Sequence, residues 1–182
     1  MKKLLLALLI SAGVTSAYAQ VSGNLGLATD YRFRGISQNN QDPSFQGGFD
    51  VAHSSGLYVG TWGSNVNAWT AGDGSMEWDL YGGYKTELSG VGVDVGVITY
   101  NYPGSTKGSV LNKKYFANTQ EAYVGLTYGP ATFKTSYVLG KNYFATTYQA
   151  DPEVTAKGSA KGTIYYDLAL AQEIAPKLTA SI

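Results

Sequence analysis

The stretch that decides the fold is ATDYRFRGISQNNQDPSFQGGFDVAHSSG, Ala28 to Gly56. It alternates charged with aromatic residues (Asp30, Tyr31, Arg32, Phe33, Arg34) and crosses a polar link around Ser37 to Pro43. It then alternates again, with Phe45, Phe49 and Val51 against Gln46, Gly48 and Asp50. Successive side chains of a strand point to opposite faces, so a period of two predicts strands whose faces meet different surroundings.

The same signal recurs along the chain, with Gly, Pro, Asn and Ser between the runs. The first strand is expected from Ser22 to Arg34, with Tyr31 and Phe33 on the apolar face of Val21, Leu25 and Leu27. Further strands are expected near Ser44 to His53, Leu57 to Ser64, Met76 to Lys85, Val91 to Ile98, Gln120 to Tyr128, Ala131 to Gly140 and Thr163 to Gln172, with a ninth from Leu178. The run from Val91 is the cleanest, with Val91, Val93, Val95 and Val97 against Gly92, Asp94 and Gly96. Connections alternate between long (Asn65 to Gly74, Asn101 to Asn118, Asn142 to Gly162) and tight (Ser54 to Gly56, Ser89-Gly90, Gly129-Pro130). Long loops on one side and short turns on the other are the rule for outer-membrane barrels.

At 182 residues the chain has the length of one domain. Lys2 and Lys3, the apolar run Leu4 to Ile10, and Ala17-Tyr18-Ala19 read as a signal peptide over residues 1–19, with the mature barrel over 20–182. There is no cysteine, hence no disulfide and no lipid-anchor thiol. Without the leader, 11 basic residues face 13 acidic ones, a net charge of −2, and nothing points to nucleic acid. No later stretch of about 18 apolar residues offers a spanning helix, so a membrane role requires a closed barrel. The aromatic residues Tyr31, Phe33, Trp62, Tyr100, Tyr102, Tyr128 and Tyr166 are expected in girdles at the headgroups. A secreted β-sandwich is the competing architecture, but its polar face meets bulk water and its loops need not alternate in length.

On the barrel reading Asp30, Arg32, Arg34, Asp50, Glu77, Asp79, Lys85, Asp94, Glu121, Lys134 and Asp167 share the lumen face. They either line a diffusion path or pair with one another to hold the barrel together. Seven acids against four bases predict a weak cation preference. The glycines Gly26, Gly48, Gly92 and Gly96 leave interior space, for a path or for Arg and Tyr side chains.

Enzymatic chemistry finds little footing. His53 is the single histidine, and Ser54 and Ser55 beside it on a turn do not make a nucleophile–base pair with an orienting third group. Glu77 and Asp79 lie two apart on one strand face, a spacing that acid–base hydrolysis could use and that any porin lumen also displays. One histidine and no cysteine make a zinc site improbable. The Gly72 to Gly74 run is a loop with no phosphate-loop lysine, and the acidic loops match no calcium spacing. No enzyme activity, cofactor or metal is expected.

The segments DYRFRGISQ (Asp30 to Gln38), QGGFDVAHSSGLYVGTWGSNV (Gln46 to Val66), EWDLYGGY (Glu77 to Tyr84), YPG (Tyr102 to Gly104) and EAYVGLTYG (Glu121 to Gly129) together resemble the TorF family of proteobacterial outer-membrane proteins, which are proposed to act as porins. The resemblance spans the mature chain. It implies an antiparallel up-and-down transmembrane β-barrel in the outer membrane, with lipid and small hydrophilic solutes as partners. Periplasmic chaperones and the barrel-assembly machinery would serve its biogenesis. Thr29 and Asn67 depart from the family pattern, where Ser and Asp are commoner. The family runs to about twelve strands and a terminal aromatic residue. A chain ending Thr179-Ala180-Ser181-Ile182 therefore reads as a fragment carrying eight strands and part of a ninth. The alternative function is a non-conducting barrel that acts through its outer loops.

Overall fold

The computed structural model describes residues 19–67, 74–104, 118–144 and 159–182. The expected signal peptide, apart from Ala19, lies outside these residues, as do Gly72 and Asp73 and the middles of three long connections. The strands are β1 (Ala19–Ala28), β2 (Arg32–Phe33), β3 (Ile36–Ser37), β4 (Ser44–His53), β5 (Leu57–Asn65) and β6 (Met76–Leu88). They continue with β7 (Val91–Asn101), β8 (Thr119–Tyr128), β9 (Ala131–Val138), β10 (Ile164–Ala175) and β11 (Leu178–Ser181). Nine of them form one antiparallel sheet in the order β1-β4-β5-β6-β7-β8-β9-β10-β11, an up-and-down meander with each strand beside its chain neighbour. The sheet is not closed, because β1 and β11 each have one partner. Among the described residues no helix is long and apolar enough to cross a membrane.

The meander puts every tight turn at one end of the sheet and every long connection at the other. Ser89 and Gly90, both at positive φ (51° and 82°), make the two-residue turn from β6 to β7. The long connections leave from Ala28, Asn65, Asn101 and Val138.

The faces follow the period of two. Leu25, Leu27, Phe45, Phe49, Val59, Leu80, Val97, Val124, Leu126 and Leu168 stand exposed on one side, Leu25 at 87%. Following the register across all nine strands, no Asp, Glu, Lys or Arg occurs on that outer face. The other face carries the charges, and several are buried: Glu77 is 2% and Glu121 1% exposed. This inner face is concave. Tyr58 on β5 and Tyr123 on β8 are three strands apart, roughly 14 Å in a flat sheet, yet their hydroxyls bond directly. They meet over the cross-strand pair Gly83–Gly96. A Cβ there would stand 2.6 Å from the Tyr58 hydroxyl and 2.5 Å from that of Tyr123. Of the glycines expected to leave interior space, Gly96 thus seats a tyrosine, whereas Gly26 has nothing within 4 Å of where its Cβ would be.

Two expectations are corrected. The first strand ends at Ala28, short of Arg34. The residues DYRFRGIS leave the sheet and form the separate β2–β3 hairpin, turning at Arg34 (φ 51°) and Gly35 (φ 82°). The aromatic girdle also fails for most of its members. Tyr100 and Tyr102 are buried with Val66, and Tyr31 and Phe33 pack against that cluster. Trp62 meets Tyr31 edge-on at 5.3 Å. Only Tyr128 and Tyr166 of the seven are exposed on the outer face. The physical reason is common to both: the hairpin folds over the inner face, and inward-pointing rings at the long-loop end bury against it.

Candidate functional site

The hairpin and the inner face beneath it form the densest polar constellation among the described residues. Its turn residue is Arg34. A non-glycine residue at positive φ is strained by about 1–2 kcal/mol and calls for something that holds it. Here the holder is Glu121 on β8, which receives Arg34 Nη1 at 2.9 Å and Nη2 at 2.8 Å, a bidentate pair. Arg34 also donates to the Tyr143 hydroxyl at 2.7 Å and lies 4.1 Å over the Tyr165 ring. Burial alone would lower the Arg34 pKa, but the Glu121 carboxylate outweighs it and keeps the guanidinium charged.

A second anchor lies at Glu77. Its two oxygens accept from the Tyr31 hydroxyl (2.7 Å) and the Tyr102 hydroxyl (2.6 Å). Burial, then the Glu77 charge, raises both phenols well above 10, so they remain donors. Phe33 stacks edge-on with Tyr100 at 5.4 Å and tilts on Phe144 at 5.2 Å, which closes the apolar part of the contact. Asp30 pairs with Arg32 at 2.8 Å and accepts from Ser37, stiffening the hairpin base.

The remaining expected residues lie deeper along the face. Asp50 accepts from Tyr81 (2.7 Å). Asp94 accepts from Tyr58 (2.6 Å) and faces Lys85 at 3.9 Å. Asp79 is 4% exposed, and its Oδ1 has no hydrogen-bond partner among the described residues. Lys134 sits 4.0 Å over the Tyr123 ring, and Asp167 stands opposite it in register on β10. All eleven expected residues belong to the inner face or the hairpin over it, and three ion pairs join six of them.

Sequence reasoning puts Tyr31 and Tyr102 in the girdles and gives Tyr58, Tyr81 and Tyr123 no role, yet these five supply the hydrogen bonds that tie the charges together. For Tyr81 and Tyr123 the signal that could have found them is their place on the charged face of a period-two run, whereas Tyr31 stands on the apolar face of its run. The two carboxylates weighed as an acid–base pair are poorly placed for it, since both Glu77 oxygens are occupied by tyrosine hydroxyls. His53 Nδ1 does lie 2.8 Å from Ser55 Oγ, but the same nitrogen accepts the Ser55 backbone N–H at 3.1 Å. That is the geometry of a closed turn rather than of a base poised over a nucleophile.

Fold and site together define an all-β protein whose nine-stranded antiparallel sheet is apolar on its exposed outer face and charged on its inner one. The chain belongs to the Gcw_chp family, bacterial proteins of unknown function, whose model matches residues 11–181. No curated protein and no solved structure matches it.

Proposed function

We propose that the sheet is the wall of an outer-membrane β-barrel of porin type that passes small hydrophilic solutes by diffusion, without chemistry. The observation that carries this reading is the outer face. A water-soluble protein rarely exposes a contiguous apolar patch beyond a few hundred Å², whereas here the outward side of nine strands is free of formal charge. Lipid is the solvent that such a face fits, and the buried charges opposite it fit an aqueous or polar interior. The alternation of tight and long connections, the leader-like N-terminus and the resemblance to TorF-family porins support the same reading. Hydrocarbon does not tolerate open edges, so the barrel reading requires that the two edge strands, β1 and β11, be paired in the membrane.

A second reading draws on the contacts that span the inner face. Arg34–Glu121, Tyr58–Tyr123 and the Glu77 anchor fill much of that space, which suits a packed barrel that works through its long loops.

Planar-bilayer conductance of the refolded, inserted protein separates the two. Steps that scale with bulk salt conductivity are expected, with reversal potentials in a salt gradient that favour cations, since acids outnumber bases seven to four among the eleven residues. Silence from protein shown to be folded and inserted would assign the packed barrel instead.

A further inference from the structure

Two Lys–Asp pairs face each other across neighbouring strands on the inner face. Lys85 and Asp94 are in register on β6 and β7 and form an ion pair at 3.9 Å. Lys134 and Asp167 are in register on β9 and β10 in the same way, yet among the described residues neither enters an ion pair. Lys134 leans over the Tyr123 ring instead. Both side chains line a cleft of about 290 Å³, whose walls also include Arg32, Phe33, Tyr100 and Tyr165. The other bases at this cleft are committed, Arg34 to Glu121 and Arg32 to Asp30.

Among the described residues, what remains is one ammonium and one carboxylate on adjacent strands, beside aromatic rings; neither is in an ion pair, although Asp94, Glu121 and Asp167 all attract Lys134 at longer range. A ligand that satisfies both carries an anion and a cation a few bonds apart. The lining is mostly polar, with Arg32, Arg34, Lys134, Ser136 and Asp167 beside the three aromatic residues Phe33, Tyr100 and Tyr165, which suits a charged ligand with a small apolar part. We propose that this cleft is a subsite for small zwitterions, namely α-amino acids with an apolar side chain. The ligand carboxylate meets Lys134, its ammonium meets Asp167, and its side group lies against Phe33, Tyr100 and Tyr165. As a solute-selecting station the subsite rests on the porin reading, whereas binding itself needs only the folded inner face.

Calorimetric titration of the protein folded in detergent micelles tests this, with L-phenylalanine as the probe. 3-Phenylpropanoate lacks the ammonium and 2-phenylethylamine lacks the carboxylate. A site built for both charges rejects analogues that leave one of them unpaired. Each analogue is therefore expected to bind at least tenfold more weakly than phenylalanine. Lys134→Met and Asp167→Asn should each lose the preference, and Lys134→Arg should keep it, with folding of every variant checked by heat-modifiable gel migration. If Lys134→Met does not fold, Asp167→Asn and Lys134→Arg carry the comparison. Equal binding of phenylpropanoate, an unaltered affinity in the folded Asp167→Asn variant, or no binding at all would overturn the proposal. Conductance measured in parallel keeps the two ideas apart. An open pore that ignores phenylalanine sinks the subsite alone, and binding by a non-conducting protein sinks the pore alone.

Discussion

At the scale of single residues, Arg34 shows how a strained backbone and a buried charge support one another. The residue accepts a left-handed φ so that its fork reaches Glu121, whose side chain is 1% exposed. Removing one partner of such a pair strands a buried charge and costs about 3–5 kcal/mol. Glu121→Gln is therefore expected to destabilise the folded state by an amount in that range, read from urea unfolding in lipid vesicles. A loss below about 1 kcal/mol would mean that the pair is solvated in the folded protein and adds little, as exposed pairs do.

At the scale of elements, the β2–β3 hairpin sets only two residues against two in register and would not persist in isolation. It is held by what it touches: Glu77 through Tyr31, Glu121 through Arg34, and the rings of Tyr100 and Phe144 through Phe33. Tyr31 and Tyr102 give this docking a pH signature. Burial and the Glu77 charge raise their pKa above the ordinary value of about 10. A raised folded-state pKa contributes stability that is complete below the unfolded value and is lost as pH rises beyond it. Stability should hold from neutrality to about pH 10 and decline above. Absorbance of tyrosinate at alkaline pH should report a set of phenols that resists ionisation until the protein unfolds. Ionisation of the full complement near pH 10 without unfolding would contradict the docked geometry.

At the scale of the whole molecule, the two faces make opposite demands. Leu80 lies on the outer face in register with Thr61 and Thr99, well inside the sheet. If lipid covers that face, Leu80→Arg costs about 2–4 kcal/mol near the bilayer midplane. Gly26→Arg, on the inner face with open space above it, is expected to cost far less. The two variants are compared by unfolding in vesicles. On a water-facing surface Leu80→Arg would stay within about 0.5 kcal/mol of neutral.

The strand order, the alternation of loop lengths and the face of every strand but Leu57 to Ser64, whose phase is ambiguous, were legible in the sequence. Period-two patterning is local, and sustained alternation of apolar with charged side chains puts the two kinds on opposite faces in a strand. Val91 to Val97 on β7 and Glu77, Asp79 and Tyr81 on β6 needed no tertiary context. The DYRFRG segment was misread for the same reason: its alternation continues that of β1, and nothing local marks the point where the chain leaves the sheet. Only the tertiary structure decided that Tyr31, Phe33 and Arg34 turn inward, because their partners Glu77, Tyr100 and Glu121 lie 46 to 87 residues away. The same holds for the tyrosine ties across the concave face and for the contrast between the closed Lys85–Asp94 pair and the open Lys134–Asp167 pair. Pattern along a chain determines which face a residue occupies, while the partner it meets there depends on how far the sheet curves.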